Sequence, residues 1–263
     1  SLVGSEMCIR DSIKSFFRIL KKIFTRKFKW GEMDADENLV LMLIIGLLPL
    51  FLLFLPIGGG MKIKDLADKW NSDGYLIITS ISLLVTSFLL VIGINANRKT
   101  TILYKSHGKL RADGAGRRKL NPVDAVFIGL FQAVAAIFPG ISRSGSTLTA
   151  GELRKINKQR ALDYSFVLGT PAIIAAALLE GKDALFPADG SAVSIEFFPT
   201  LIGIITSAIV GFLAIRLFKW LLSTNRMYYF VLYTAGAGII CLVISIIELI
   251  SGVNLFTQQP LTF

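Results

Sequence analysis

The chain has 263 residues, of which 53% are hydrophobic and only 17% charged, with a formal net charge of +10. An ordinary soluble domain is about 45–50% apolar, and here the excess is gathered into runs of about 18–24 residues, long enough to cross a bilayer. The basic residues fall in the loops between those runs, so the charge reads as a signal of membrane orientation and not as a nucleic-acid surface.

Residues 1–12 have no basic start followed by an apolar core, so they do not read as a signal peptide. They resemble translated adapter sequence and are set aside from the single membrane domain, 13–263. From Ile13 to Phe28 apolar residues recur at helical spacing, at 13, 16, 17, 20, 23, 24 and 28, with seven Lys and Arg between Lys14 and Lys29. Residues 13–30 are therefore expected to form an amphipathic helix on the cytoplasmic face, drawn to anionic lipid.

Five spans are predicted: 39–57, with a kink at Pro49, then 74–94, 161–179, 197–217 and 227–250. The loop Gly58–Asp73 carries three Lys and three Asp. Asn95–Asn121 carries eight basic residues and one acid, Asp113, which places it in the cytoplasm. Glu180–Glu196 carries four acids and one lysine, which suits the outside. Cys8 and Cys241 give neither a disulfide framework nor metal spacing. The sole histidine, His107, lies in a solvated loop and reads as a surface residue.

Residues 122–151 do not make one span. Val123–Phe138 is apolar except for Asp124 and Gln132, and it stops at Pro139-Gly140. A re-entrant hairpin is expected, since irregular backbone at membrane depth must be buried in protein or line a cavity. Thr149-Ala-Gly-Glu152 fits a capping box for its second helix, which makes Glu152 a cap in preference to a general base. With this hairpin entering and leaving from the cytoplasm, every loop charge agrees with every crossing.

The turn of the hairpin, Pro139-Gly-Ile-Ser-Arg-Ser-Gly-Ser-Thr147, carries the chemistry. An arginine at membrane depth is costly and marks a functional site. Glycines allow tight turns, hydroxyls donate hydrogen bonds, and turn amides ahead of a helix make an anion nest. A planar guanidinium suits phosphate oxygens. The bland alternative is a Gly/Ser-rich helix break with Arg143 snorkelling to a headgroup.

Gly129-Leu-Phe-Gln132, Phe138 to Thr147 and Asp163-Tyr-Ser-Phe-Val-Leu-Gly-Thr-Pro171 together resemble the bacterial undecaprenyl-diphosphate phosphatase family, also called bacitracin-resistance proteins. The likeness extends less sharply from about Ile13 to the last apolar helix. It implies an all-α integral membrane enzyme of the bacterial plasma (inner) membrane, built from two inverted repeats that each hold a re-entrant hairpin and three spans. It implies hydrolysis of undecaprenyl diphosphate to the monophosphate and inorganic phosphate, recycling the carrier for cell-wall synthesis and conferring bacitracin resistance. Arg143, Ser142 and Thr147 fall on the family's second motif as catalytic residues. Pro139, Gly140, Ser144, Gly145, Ser146 and Gln132 fall on substrate-binding positions.

A divalent cation, Mg or Ca, is also implied, as are a polyprenyl diphosphate lipid and the bilayer as partners; a homodimer is left open. The family's first motif, a Glu-rich helix and a Pro-x-Ser-Ser-x-Gly-His turn, has no match here. The chain is thus expected to be an N-terminally truncated member with the second half and part of the first half of the fold. It would lack the metal ligands and be inactive alone. Transport or flipping of an anionic lipid or phosphate at a broken helix is the alternative. A lipid phosphatase with a histidine nucleophile is disfavoured, because His107 is near no motif.

Overall fold

The computed structural model describes residues 35–58, 61–63, 76–110, 114–185, 197–224 and 226–252. The amphipathic helix expected over 13–30 lies outside them. Seven α-helices are described: α1 (Ala35–Leu47), α2 (Leu76–Ser106), α3 (Pro122–Ile137), α4 (Arg143–Leu153), α5 (Lys158–Leu185), α6 (Phe197–Ser223) and α7 (Met227–Ser251). Two short strands, β1 (Pro56–Gly58) and β2 (Met61–Lys62), pair antiparallel and are too small to alter an all-α membrane architecture.

Among the described residues four helices are long and apolar enough to cross a membrane, namely α2, α5, α6 and α7. The remaining expected span, 39–57, differs from its prediction. The α-helix stops at Leu47 and a 3-10 helix runs from Leu48 to Phe54, with Pro49 in its first turn. Proline removes an amide and crowds the carbonyl four residues back. Here the chain answers by tightening its winding.

The charged segment after the second span also differs. Asn95–Ser106 belongs to α2, which is 31 residues long. At about 1.5 Å per residue that is some 46 Å, well beyond a hydrocarbon core of about 30 Å. Charge ends a span but not a helix, so α2 continues toward the basic loop.

Packing centres on the short helices. α2 lies along α7 and also against α4. α3 packs on α4, α1 and the 3-10 turn, and α4 packs on α5. The core holds Met42, Ile128, Leu148, Ile156, Leu162, Tyr164 and Leu168, all buried. Helices α1 and α3 cross at Gly46 and Gly129, where a side chain on Gly129 would run into the Gly46 carbonyl. Tyr164 of α5 closes this corner by donating to the Met42 carbonyl at 2.6 Å. By contrast, α6 is apolar all round and exposed along most of its length, the pattern of a lipid-facing span. It touches the rest near its C-terminal end, where Phe218 makes edge-on contacts with Phe166 and Phe230.

Candidate functional site

The site is a helical hairpin, α3 and α4, joined by Phe138–Ser142. Helix α3 starts on a capping box: the Asn121 side chain accepts from the Asp124 amide at 2.8 Å, and the Asn121 amide donates to Asp124 Oδ2 at 3.1 Å. Pro122 follows in the first turn, where its missing N–H costs nothing. The helix ends because Pro139 forces Phe138 into extended backbone, φ −100° and ψ 115°. Gly140 then takes φ +93°, which L side chains rarely adopt. An added Cβ there would also lie 2.8 Å from the Thr79 carbonyl of α2.

Ser142 restarts the helix as N-cap, its Oγ accepting from the Gly145 amide at 3.2 Å. Arg143 is the first helical residue. Helix geometry leaves the amides of Arg143 and Ser144 without intrahelical acceptors at the positive end of the dipole. The Arg143 side chain is half-buried. Among the described residues its guanidinium has no hydrogen-bond or ion-pair partner. The first turn of α4 thus offers two amides, and its first residue a guanidinium, the donor types that receive an oxyanion at a helix start.

The turn is held by a residue that sequence reasoning did not single out. Thr86 of α2, 1% exposed, accepts from the Ser142 amide at 3.0 Å and donates to the Gly140 carbonyl at 3.3 Å. A signal was present: Ser80, Ser82, Thr86 and Ser87 are hydroxyls in an otherwise apolar helix, and all four are buried. Polar side chains inside a membrane helix mark a face turned to protein.

The motif residues divide between two surroundings. Thr147 is buried, donates to the Arg143 carbonyl at 2.9 Å and contacts the Ser165 hydroxyl of α5. Ser165 also donates to the Ser144 carbonyl at 3.2 Å. Thr147 therefore braces the first turn of α4 against α5. Gln132 and Ser146, 1% and 2% exposed, sit in the two arms of the hairpin. Among the described residues both polar atoms of the Gln132 side-chain amide and the Ser146 hydroxyl lack hydrogen-bond partners. Buried polar groups are nearly always bonded, so these two side chains stand out within the hairpin. Pro139, Gly140, Ser144 and Gly145 shape the turn or the helix start.

The capping box expected at Thr149–Glu152 is not formed. Helix α4 begins six residues earlier than Thr149, at Arg143, and both residues lie late in it. Thr149 donates to the Leu89 carbonyl at 3.1 Å. Glu152 is buried against α2, where Gly93 makes room: a Cβ there would sit 2.5 Å from Glu152 Oε2. The correction is physical. Ser142 is an equally good cap, and the break at Pro139-Gly140 decides which one is used.

The base of the hairpin carries its own network. Asp124 is fully buried. Arg117 Nη2 reaches its carboxylate at 3.0 Å, and Arg154 Nε at 2.7 Å. Burial pushes the Asp124 pKa up, but the hydrogen bonds from Arg117 and Arg154 outweigh it, leaving the carboxyl below its ordinary range.

Among the described residues no cluster of three His, Cys, Asp or Glu could hold a metal ion. The Asp124 oxygens are taken by arginines, and Glu152 faces Gly93 and the charge of Lys158. These residues do not fit a divalent cation. His107 is exposed at the end of α2, its Nδ1 2.8 Å from the Leu103 carbonyl.

A family described as "Bacitracin resistance protein BacA" matches residues 9–240. That match begins inside the segment 1–12 set aside above as foreign. An undecaprenyl-diphosphatase of Cutibacterium acnes is 39% identical over 128 residues, 48% of this chain and 45% of that protein. Undecaprenyl-diphosphatase 4 of Bacillus thuringiensis subsp. konkukian is 31% identical over 222 residues, 83% and 74% of the two chains. An undecaprenyl-diphosphatase of Alkaliphilus metalliredigens is 32% identical over 213 residues, 80% and 67%. The chain thus spans under half of the first relative and about three quarters or two thirds of the others.

Proposed function

This chain belongs to the bacitracin resistance protein BacA family, and on that premise we propose that its hairpin binds the diphosphate of undecaprenyl diphosphate for removal of the terminal phosphate. The product, undecaprenyl phosphate, would return to cell-wall synthesis in the bacterial inner membrane, which is the reading that links the family to bacitracin resistance. One observation carries the proposal: Arg143, whose guanidinium has no partner among the described residues, is the first residue of α4, where the amides of Arg143 and Ser144 have no intrahelical acceptor.

In this reading Arg143 takes the phosphoryl oxygens that gain charge in the transition state, and the amides hold a neighbouring oxygen. Ser142 keeps its hydroxyl proton to donate, because its oxygen already accepts from Gly145. Gln132 and Ser146 supply further polar contacts along the hairpin. Thr147 acts through Arg143, by fixing the first turn of α4.

Hydrolysis also needs a placed nucleophile and a base. Among the described residues no carboxylate or imidazole stands at the turn: Asp124 and Glu152 lie toward the hairpin base and His107 at the end of α2. We therefore propose that this chain by itself binds a prenyl diphosphate but does not turn it over. No step is assigned to a metal, since the residues at hand do not fit one.

The test is phosphate release from a prenyl diphosphate by the purified chain, compared with a version carrying a complete family N-terminus. Turnover in the second alone supports the reading. Equal turnover would return the search for a base to Gln132, Glu152 and the motif serines. Movement of the lipid across sealed vesicles without cleavage would favour a transporter.

A further inference from the structure

Residue Asp124 stands at the far end of α3 from the turn, yet its surroundings tie together every segment that carries the hairpin. Its carboxylate accepts from Arg154, the C-cap residue of α4, and from Arg117, in the loop that leads from α2 into α3. Arg117 Nη2 also donates to the Arg154 carbonyl at 2.9 Å. The backbone of Arg117 is stitched to the segment after α4: its amide donates to the Lys155 carbonyl at 2.9 Å and its carbonyl accepts from the Asn157 amide at 2.8 Å. Asn157 in turn caps α5, its Oδ1 accepting from the amides of Gln159 and Arg160. Arg154 lies over the Phe127 ring of α3, 6.0 Å from its centre.

This is more than a surface ion pair. A fully buried carboxylate joins two guanidinium groups and an N-cap, and a buried charge that loses its partner costs far more than an exposed one. The network therefore fixes the angle at which α3 and α4 leave their common base. We infer that Asp124 is a positioning residue for the Arg143 turn, setting the splay of the hairpin from its opposite end. The inference rests on the reading of that turn as a diphosphate site.

Leverage makes the effect large. Helix α3 has 16 residues, which at about 1.5 Å each is about 24 Å. A change of about 5° at the base moves the turn by about 2 Å. A misplacement of about 1 Å can cost about 100-fold in rate when reacting groups must be aligned. Thr86 pins the turn to α2, and Thr147 with Ser165 pins α4 to α5, but neither fixes the angle between the hairpin arms.

The test uses the full chain in detergent with Cys8 and Cys241 replaced by Ser. Nitroxide labels at Ile141→Cys in the turn and Tyr233→Cys on α7 report the tip position by pulsed electron resonance. Asp124→Asn keeps the shape and removes the charge. Should that variant aggregate, Arg154→Gln leaves Asp124 paired with Arg117 and is read in the same way.

The expected result is a label distance shifted or broadened by about 2 Å, with farnesyl diphosphate bound at least tenfold more weakly. An unchanged distance distribution overturns the inference, even if the thermal midpoint falls. So does unchanged affinity in the variant when the unsubstituted chain binds. If the unsubstituted chain does not bind farnesyl diphosphate, the diphosphate reading fails, and the label distance alone decides the positioning role.

Discussion

Replacing Thr86 by Val is the sharpest perturbation of the turn, because it removes one hydroxyl and almost no volume. That hydroxyl serves both sides of the break, accepting from the Ser142 amide at 3.0 Å and donating to the Gly140 carbonyl at 3.3 Å. Val leaves both backbone groups without their partner in a site where the side chain is 1% exposed. An orphaned buried group costs about 1–3 kcal/mol. Two such groups give a total of about 2–6 kcal/mol.

Thermal unfolding in detergent, followed by loss of helical signal, should show a drop of about 2–4 °C per kcal/mol. Farnesyl diphosphate binding should weaken at the same time, since the Ser142 cap sets where Arg143 begins its helix. Thr86→Ser keeps the hydroxyl and should recover most of both effects. Stability and binding in the Val variant at least as good as in the Ser variant would refute the reasoning, because Val keeps the methyl group and lacks the hydroxyl that makes both hydrogen bonds.

Single cysteines at Ser106 and Ser191, with Cys8 and Cys241 removed, should label from opposite sides of the membrane; labelling from one side would break the assigned orientation. Gly129→Ala should destabilise by about 1–3 kcal/mol, as overpacking does, because its Cβ meets the Gly46 carbonyl; a neutral effect in thermal unfolding would show that α1 and α3 do not cross this closely. Asp124 has a folded pKa below its ordinary value of 3.8, with burial opposing and the bonds from Arg117 and Arg154 prevailing. Its contribution is thus fully present above about pH 4 and is lost as pH falls through the lower folded value. The stability profile should lose an acid limb in Asp124→Asn, and an identical profile in both proteins would contradict that assignment.

The membrane architecture was legible because lipid imposes a simple rule on composition, and α5, α6 and α7 follow it directly. The break at Pro139-Gly140 was legible for a local reason: proline and a positive-φ glycine leave the chain few choices. The helix start after it was not placed correctly by Thr149 and Glu152, because two cap sequences compete and the break at Pro139-Gly140 selects Ser142, leaving Thr149 and Glu152 to pack late in α4 against Leu89 and Gly93. The extent of α2 was hidden because charge reports where a span leaves the bilayer and says nothing about where the helix stops. Thr86 and Ser165 were missed since each acts from a different helix, across sequence separations no local pattern encodes. The Asp124 network was hidden for the same reason: Asp124 reads as an ordinary first-turn acid until Arg117 and Arg154 are brought to it.

The central claim is that Arg143 and the first amides of α4 receive a phosphate group. Phosphorus NMR of farnesyl diphosphate titrated with the chain in micelles observes that contact without requiring turnover. The account predicts broadening or a shift of the terminal phosphorus signal and about 10–100-fold weaker binding in Arg143→Ala, as expected for loss of hydrogen bonds to a charged group of about 1.5–3 kcal/mol. Arg143→Lys should fall between the two, keeping charge without the planar fork. Binding by Arg143→Ala as tight as by the unsubstituted chain would contradict the account.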